Sequence, residues 1–339
     1  MTSARWFLPL KAGSFVENQI IDCLQSLKSK YSDLRVLLGA GAEYLSGWIE
    51  QETNWVLYGN NSFTIQSIND PEKFFSGLQN LDINFPDIEF NKKPNDLDAD
   101  RWIYKYTDTC GGIGITRNPP SLTDANGYWQ REIVGEAISA LYVADGESSY
   151  CVGINLMHSR QFGGNYPYVY SGAIANHNID KKYIGKIDSY AKNIIDYFKL
   201  IGVISIDMML EKTEDDCKIY VLEVNPRISA SFELYEYLNP NINLVDEHIR
   251  VCEGDTTSIS KRLNAELTSS VAGYRIVYAY KDGVVEKEIL WPEWSKDIPE
   301  EGRHISIGEP ICSVFANEYE GNVQELLNER EKTILSYIN

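Results

Sequence analysis

The string Glu223-Val-Asn225-Pro-Arg227, closing an apolar run, places a carboxylate, an amide and a guanidinium close together. Upstream, Asp207 interrupts a second apolar run, Val203–Leu210. A hairpin centred on Asp215 makes Asp207 and Glu223 cross-strand partners. The two-residue period of a strand then puts Glu223 and Asn225 on the face of Asp207. Carboxylates that close repel one another and are expensive to bury unpaired. Mg²⁺ or Mn²⁺ relieves the repulsion, and carboxylate and amide oxygens suit such hard cations. Arg227, just past Pro226, reaches the same mouth. An acid on each of two strands also fits a solvated hairpin with a structural arginine. The Glu-x-Asn-Pro-Arg string favours the metal site.

Two further segments have the chemistry of a nucleotide site. Lys105 stands at the end of a short strand, Trp102–Tyr106, and CGGIGIT follows at 110–116. Gly111, Gly112 and Gly114 let backbone N–H groups approach phosphate oxygens, while the lysine adds a point charge. No Gly-Lys-Ser/Thr follows, so this is not a P-loop, and no helix follows as in a dinucleotide fingerprint. A tight hairpin turn is the alternative. In YWQREIVGEAIS (128–139), the stretch Gln130, Arg131, Glu132, Ile133 leads to Gly135. Its backbone offers N–H and C=O groups to an adenine edge, although an ordinary hairpin has the same residues. His158–His177 combines Arg160, tyrosines that include Tyr170, and glycines. An arginine there clamps a substrate carboxylate, or the segment is a surface loop with packing tyrosines. None of His158, His177, His248 and His304 has metal-ligand spacing.

The elements that must carry these groups are legible in part. Helical spacing runs over Phe15–Leu27, Glu72–Leu78, Ile184–Ile201 and Val323 to about Tyr337. Asp70-Pro71 reads as a cap and first turn. Strand-like runs are Val36–Leu38, Trp55–Tyr58, Tyr128–Val134, Ile138–Ala144, Val203–Leu210, Ile219–Val224, Val271–Tyr280 and His304–Phe315. Asn91–Asp100 is polar, holds a proline and reads as a linker. The domains expected are an N-terminal α/β unit (1–95), a small lid lobe (96–148), a larger lobe with the metal site (149–265) and a β-rich C-terminal extension with a closing helix (266–339).

Composition narrows the function. With 31 Lys+Arg against 49 Asp+Glu, the net charge is −18, which argues against a nucleic-acid partner. No run approaches the roughly 18 apolar residues of a membrane span, and no signal peptide is read in residues 1–15. The six cysteines are scattered without CxxC, as expected of reduced thiols in a cytoplasmic protein.

In order, these features are a lysine, a glycine loop, a Gln-Arg-Glu-x-x-Gly hinge, an aspartate on one strand, and Glu-x-Asn-Pro-Arg. Over roughly residues 70–240 this order resembles the ATP-grasp superfamily. The resemblance implies a mixed α+β and α/β fold whose two lobes sandwich ATP, behind a shortened N-terminal domain. It implies that Lys105 contacts phosphates, that 111–114 forms the lid loop, that Gln130–Ile133 lines the adenine and that Asp207, Glu223 and Asn225 hold Mg²⁺. Arg227 matches an arginine that steadies an acyl phosphate in some members. Two positions depart from the pattern. Ala137 stands where many members have an acid for the ribose, leaving Glu136 as the candidate, and Asp70-Pro71 replaces an Asp-Lys pair, with Lys73 one turn on.

GAGAEYLSGWIE (39–50), LYGNN (57–61), NDPEKFFSGL (69–78), YSGAI (170–174) and IPEEGRHISIGEPICSVFA (298–316) carry a second resemblance. They are similar to ATP-grasp proteins of methanopterin- and methylofuran-linked one-carbon gene clusters, related to a tyramine–glutamate ligase. The resemblances imply an ATP-dependent carboxylate–amine ligase for small molecules, often dimeric, and a cofactor-biosynthetic role. The alternatives are an ATP-grasp enzyme of another reaction, such as a carboxylase or an acyl-phosphate-forming kinase, and a nucleotide-binding module without catalysis.

Overall fold

The computed structural model describes residues 17–31, 33–90, 101–107, 109–119, 126–162, 166–176, 179–212, 217–257, 259–266, 269–286 and 288–338. The linker expected at 91–100 and the hairpin centre at Asp215 lie outside them, as does His177.

The N-terminal unit contains α1 (Glu17–Lys30), β1 (Leu34–Leu37), a 3₁₀ turn (Glu43–Leu45), α2 (Ser46–Gln51), β2 (Trp55–Tyr58), α3 (Ser62–Asn69) and α4 (Pro71–Asn80). β1 and β2 pair in parallel. The Asp70 side chain accepts from the N–H groups of Glu72 and Lys73 at 3.0 and 3.3 Å, so the Asp-Pro pair starts α4 as its chemistry requires.

The small lobe is a four-stranded sheet in the order β3-β6-β4-β5, from β3 (Ile88–Glu89), β4 (Trp102–Tyr106), β5 (Ile115–Thr116) and β6 (Gly127–Arg131). Trp102, Tyr104 and Trp129 cluster on one face. Register pairs Ile103 with Gln130 and Lys105 with Tyr128 on the other.

The chain then crosses to an eight-stranded sheet through residues 132–135. This sheet begins with β7 (Glu136–Asp145), β8 (Ser149–Phe162) and β9 (Tyr166–Ile174). After α5 (Lys181–Phe198) come β10 (Ile201–Lys212) and β11 (Cys217–Asn225), then α6 (Phe232–Leu238), α7 (Leu244–Cys252) and α8 (Ile259–Glu266). β12 (Ala272–Tyr278) rejoins the large sheet; β13 (Gly283–Val284) and β15 (His304–Ile305) form a ribbon, and β14 (Ser295–Lys296), β16 (Pro310–Asn317) and α9 (Val323–Leu335) complete the chain. The large sheet runs β11-β10-β7-β8-β9-β12-β16-β14.

Several expectations need correction. β7 belongs to the large sheet, not the lid: Ile138 to Ala144 are buried on both faces, which only a central strand allows. The lobe boundary therefore falls at the hinge before Glu136 and not at 148. β12, β16 and β14 extend the same sheet, so 266–339 is no separate β unit. Helix α5 stops at Phe198 because Lys199 takes a left-handed φ of 55°, and Ile201 opens β10. The run His304–Phe315 breaks at a turn where Gly308 has a φ of 83°.

On one face of the large sheet, Ile204, Ile206, Met208 and Leu210 pack against Ile187, Ala191, Ile194 and Ile195 of α5. That apolar backing leaves the opposite face of β10 for polar groups.

Candidate functional site

β10 and β11 pair Ser205 with Asn225 and Asp207 with Glu223, and the register then slips so that Met208 faces Val221. Leu222 is the surplus residue of a β-bulge. Ile219 and Val221 are fully buried in the core, and strict alternation would send Glu223 in after them. The bulge turns it to the other face, beside Asp207. The hairpin is not centred on Asp215 along its length, because Lys212 pairs with Cys217; the bulge makes up the difference at the site.

From these strand ends a continuous bonded path runs to the N-terminal unit. Asp207 accepts from Ser139 Oγ at 2.6 Å and from Asn225 Nδ2 at 3.1 Å. Asn225 Oδ1 accepts from Arg227 Nη2 at 3.0 Å, and Arg227 Nε donates to Glu43 Oε1 at 2.6 Å. Beside this path, Lys105 of the small lobe reaches Glu223 Oε2 across the lobe gap at 3.3 Å. The cleft between these groups has a volume of about 1180 Å³; Lys105, Gly111, Gly112, Glu223, Asn225 and Arg227 all line it.

The electrostatics follow from burial and pairing. Burial, then the negative charge of Glu223, pushes the Asp207 carboxyl well above the usual carboxylate range. Lys105 holds Glu223 below that range. Burial alone would lower the Lys105 ammonium, but Tyr128 and Glu223 outweigh it and hold it above its ordinary value. Three carboxylates, Asp207, Glu223 and Glu43, thus share two cations at an open cleft, a donor set that fits a hard divalent ion. Asp207 and Glu223 offer its anionic oxygens. The Asn225 oxygen faces Arg227, so this amide would have to turn before ligating. Among the described residues no group of three or more His, Cys, Asp or Glu is placed to hold a metal ion, so this site would rest on two carboxylates and an amide.

The glycine loop is built for close approach. Gly111 and Gly112 have φ of 65° and 76°, and a Cβ on Gly112 would collide with the Tyr168 carbonyl. The Gly111 carbonyl accepts from the Tyr170 N–H at 2.9 Å, and a Cβ on Gly114 would strike Thr109.

The hinge residues divide. Gln130 is buried, and its Oε1 has no protein partner. Arg131 pairs with Asp87 at 3.3 Å and Glu132 with Arg117 at 2.6 Å, so both side chains face their own lobe. Ile133 is half-buried between the sheets. Glu136 opens β7 and pairs with Lys212 at 3.5 Å. Lys73 turns back to Asp70 at 3.3 Å.

The two expected substrate residues do not join the cleft. Arg160 bonds both carboxylate oxygens of Glu331 on α9, and Tyr280 besides. With its fork engaged there, it is not free to clamp a substrate. Tyr170 is half-buried, its hydroxyl on that of Tyr274. It backs the site through its N–H to Gly111 instead of facing a ligand.

Glu43 and Ser139 are contacts the motifs did not reveal. Ser139 is the β7 register partner of Asp207, visible only once strand order is known. Glu43 lies in GAGAEYLSGWIE, where nothing local marks its carboxylate as a partner of Arg227.

Residues 68–231 match a sequence model described as the ATP-grasp domain. A search of curated proteins returns no match. Among solved structures, the biotin carboxylase domain of Hydrogenobacter thermophilus 2-oxoglutarate carboxylase superposes with a TM-score of 0.69 at 12% identity, covering 95% of this chain and 77% of that one. L-amino acid ligase from Bacillus licheniformis gives 0.67 at 14% identity, with 96% and 84% covered. N5-carboxyaminoimidazole ribonucleotide synthetase from Thermotoga maritima gives 0.60 at 16%, with 94% and 84% covered. No helix among the described residues is long and apolar enough to cross a membrane. Matched by sequence over residues 68–231 and by shape over nearly its whole length, the chain has the ATP-grasp fold.

Proposed function

We propose that this protein is an ATP-dependent ligase that joins a carboxylate to an amine through an acyl phosphate. One observation carries the reading: Lys105 from the small lobe and Glu223, Asn225 and Arg227 from the large lobe line a single cleft beside the glycine loop, with Asp207 bonded to Asn225 behind them. A substrate carboxylate would attack the γ-phosphorus of ATP, releasing ADP and forming the acyl phosphate. A neutral amine would then attack the acyl carbon and expel inorganic phosphate.

In this reading Asp207 and Glu223, with Asn225 once turned, hold Mg²⁺ or Mn²⁺. The metal, when bound, screens the triphosphate charge. Lys105 supplies a fixed positive charge beside the transferred phosphoryl group. Gly111, Gly112 and Gly114 bring backbone N–H groups over it and keep out water that would hydrolyse the intermediate. Arg227, oriented by Glu43 and Asn225, steadies the acyl phosphate and its tetrahedral successor. Gln130–Ile133 would line the adenine, with the unpartnered Gln130 Oε1 as an acceptor for it, and Glu136 would meet the ribose.

The second sequence resemblance supports a small-molecule substrate of the methylofuran or tetrahydromethanopterin type, acting in cofactor biosynthesis in the cytoplasm. A homodimer is proposed by analogy with the Hydrogenobacter domain, which is a dimer in its structure. The test is ADP release against panels of carboxylates and amines with Mg·ATP. Release that needs both a carboxylate and an amine supports the ligase. Release that needs only bicarbonate, or no amine, supports a carboxylase or an acyl-phosphate-forming enzyme. Magnesium-nucleotide binding without turnover supports a non-catalytic module.

A further inference from the structure

We propose that Asn60, in the N-terminal unit and outside the ATP-grasp match, is a positioning residue for the turn that carries Asn225 and Arg227. Asn60 follows β2 and is 4% exposed. Its Nδ2 donates to the carbonyl of Ile201 at 3.0 Å and to that of Pro226 at 2.9 Å. Its Oδ1 accepts from the Ile201 N–H at 2.9 Å. Both donor hydrogens and one acceptor lone pair are therefore used, and the amide has one workable orientation.

What these bonds join gives the residue its role. Ile201 opens β10 and Pro226 follows the last residue of β11, so one side chain ties the two strand ends flanking Asp207 and Glu223. Pro226 sits between Asn225 and Arg227, whose side chains meet at 3.0 Å. The N-terminal unit grips the same turn a second time through Glu43 and Arg227.

Docking of the N-terminal unit does not explain the Pro226 bond. His248 already ties β2 to β10, with Nδ1 accepting from the Val203 N–H at 2.9 Å and Nε2 on the Tyr58 carbonyl at 3.0 Å. Tyr58 adds a bond to Glu253. Neither touches the turn. The bond from Asn60 to Pro226 fixes where the Asn225 amide and the Arg227 guanidinium stand, and displacing such groups by about 1 Å can cost about 100-fold in rate.

This proposal rests on the roles given above to Asn225 and Arg227, so its test has an arm independent of turnover. Asn60→Asp, Asn60→Ser and Tyr58→Phe would be made in the full chain, and hydrogen exchange followed by mass spectrometry on peptides spanning 226–231 and 203–207. Asn60→Asp keeps the shape but loses both donors; exchange in 226–231 should rise about tenfold, with Asn60→Ser in between. Tyr58→Phe, which loosens the same seam elsewhere, should leave 226–231 unchanged. With an active carboxylate–amine pair, Asn60→Asp should lower kcat about 30- to 100-fold while KM for Mg·ATP moves less than about threefold. Unchanged exchange in Asn60→Asp, or equal loosening in Tyr58→Phe, overturns the proposal. A wild-type protein that turns over no pair defeats the ligase reading alone, because the exchange arm still decides the role of Asn60.

Discussion

Two hairpins of one sheet, β10–β11 and β8–β9, each lead to an arginine that the sequence marks, and they use it in opposite ways. Arg160 on β8 shares Glu331 with Arg275, which lies 2.9 Å from it, while Asn328 and Tyr280 take further donor edges. The group is closed under α9 and acts as a brace. Arg227 past β11 also has a carboxylate partner, Glu43, but its neighbourhood holds more acids than bases and opens on a cleft. Residue type does not separate a site from a brace; what separates them is whether the charges are satisfied within the protein or left facing a cavity.

The comparison can be broken by substitution. The largest effect is expected for Arg227→Ala, which should lower kcat about 10²- to 10³-fold with little change in nucleotide affinity. Lost stability with unchanged kcat would make Arg227 a brace as well. Glu331→Gln should do the reverse. Two guanidiniums lose their buried anion, about 3 kcal/mol of stability goes, and KM for Mg·ATP holds; a urea midpoint and a Michaelis curve check both. Ser139→Ala removes a bond to Asp207 and should weaken Mg²⁺ binding in the presence of ADP about tenfold, read by calorimetry. An unchanged affinity would place Asp207 outside the metal site.

The smallest effect is expected from pH. His248 is neutral, since Nδ1 accepts from Val203 and Nε2–H donates to Tyr58, and burial lowers its pKa from 6.5. Its contribution is full above that value and is lost as the pH falls from there through the lower folded value, by at most about 1.4 kcal/mol per pH unit. His248→Gln should flatten urea midpoints compared between pH 7.5 and pH 5.5; an equal slope in the variant would remove His248 as the cause.

The sequence made the site more legible than its supports. Asp207, Glu223, Asn225 and Arg227 stand in one short segment, and antiparallel pairing of its two apolar runs sets the acids opposite one another, with the bulge turning both to one face. The bulge at Leu222 was hidden, because a surplus residue leaves no chemical mark in a run of valines and isoleucines. β7 read as part of the lid because its apolar run lies close to β6 in the chain; only the sheet order moves it. Nothing in the sequence separates Arg160 from a substrate clamp, because its partner lies 171 residues away, where no spacing rule reaches. Glu43 and Asn60 carry no mark in the sequence for the same reason, their partners being 184 and 166 residues away.

The central claim is that the paired acids of β10 and β11 bind the metal that accompanies a nucleotide. Calorimetric titration of ADP with and without Mg²⁺, for wild type and Glu223→Gln, tests it directly. Mg²⁺ should tighten ADP binding about tenfold or more in wild type, and much less in the variant at unchanged thermal stability. An equal magnesium effect in both proteins, or none in wild type, would contradict it.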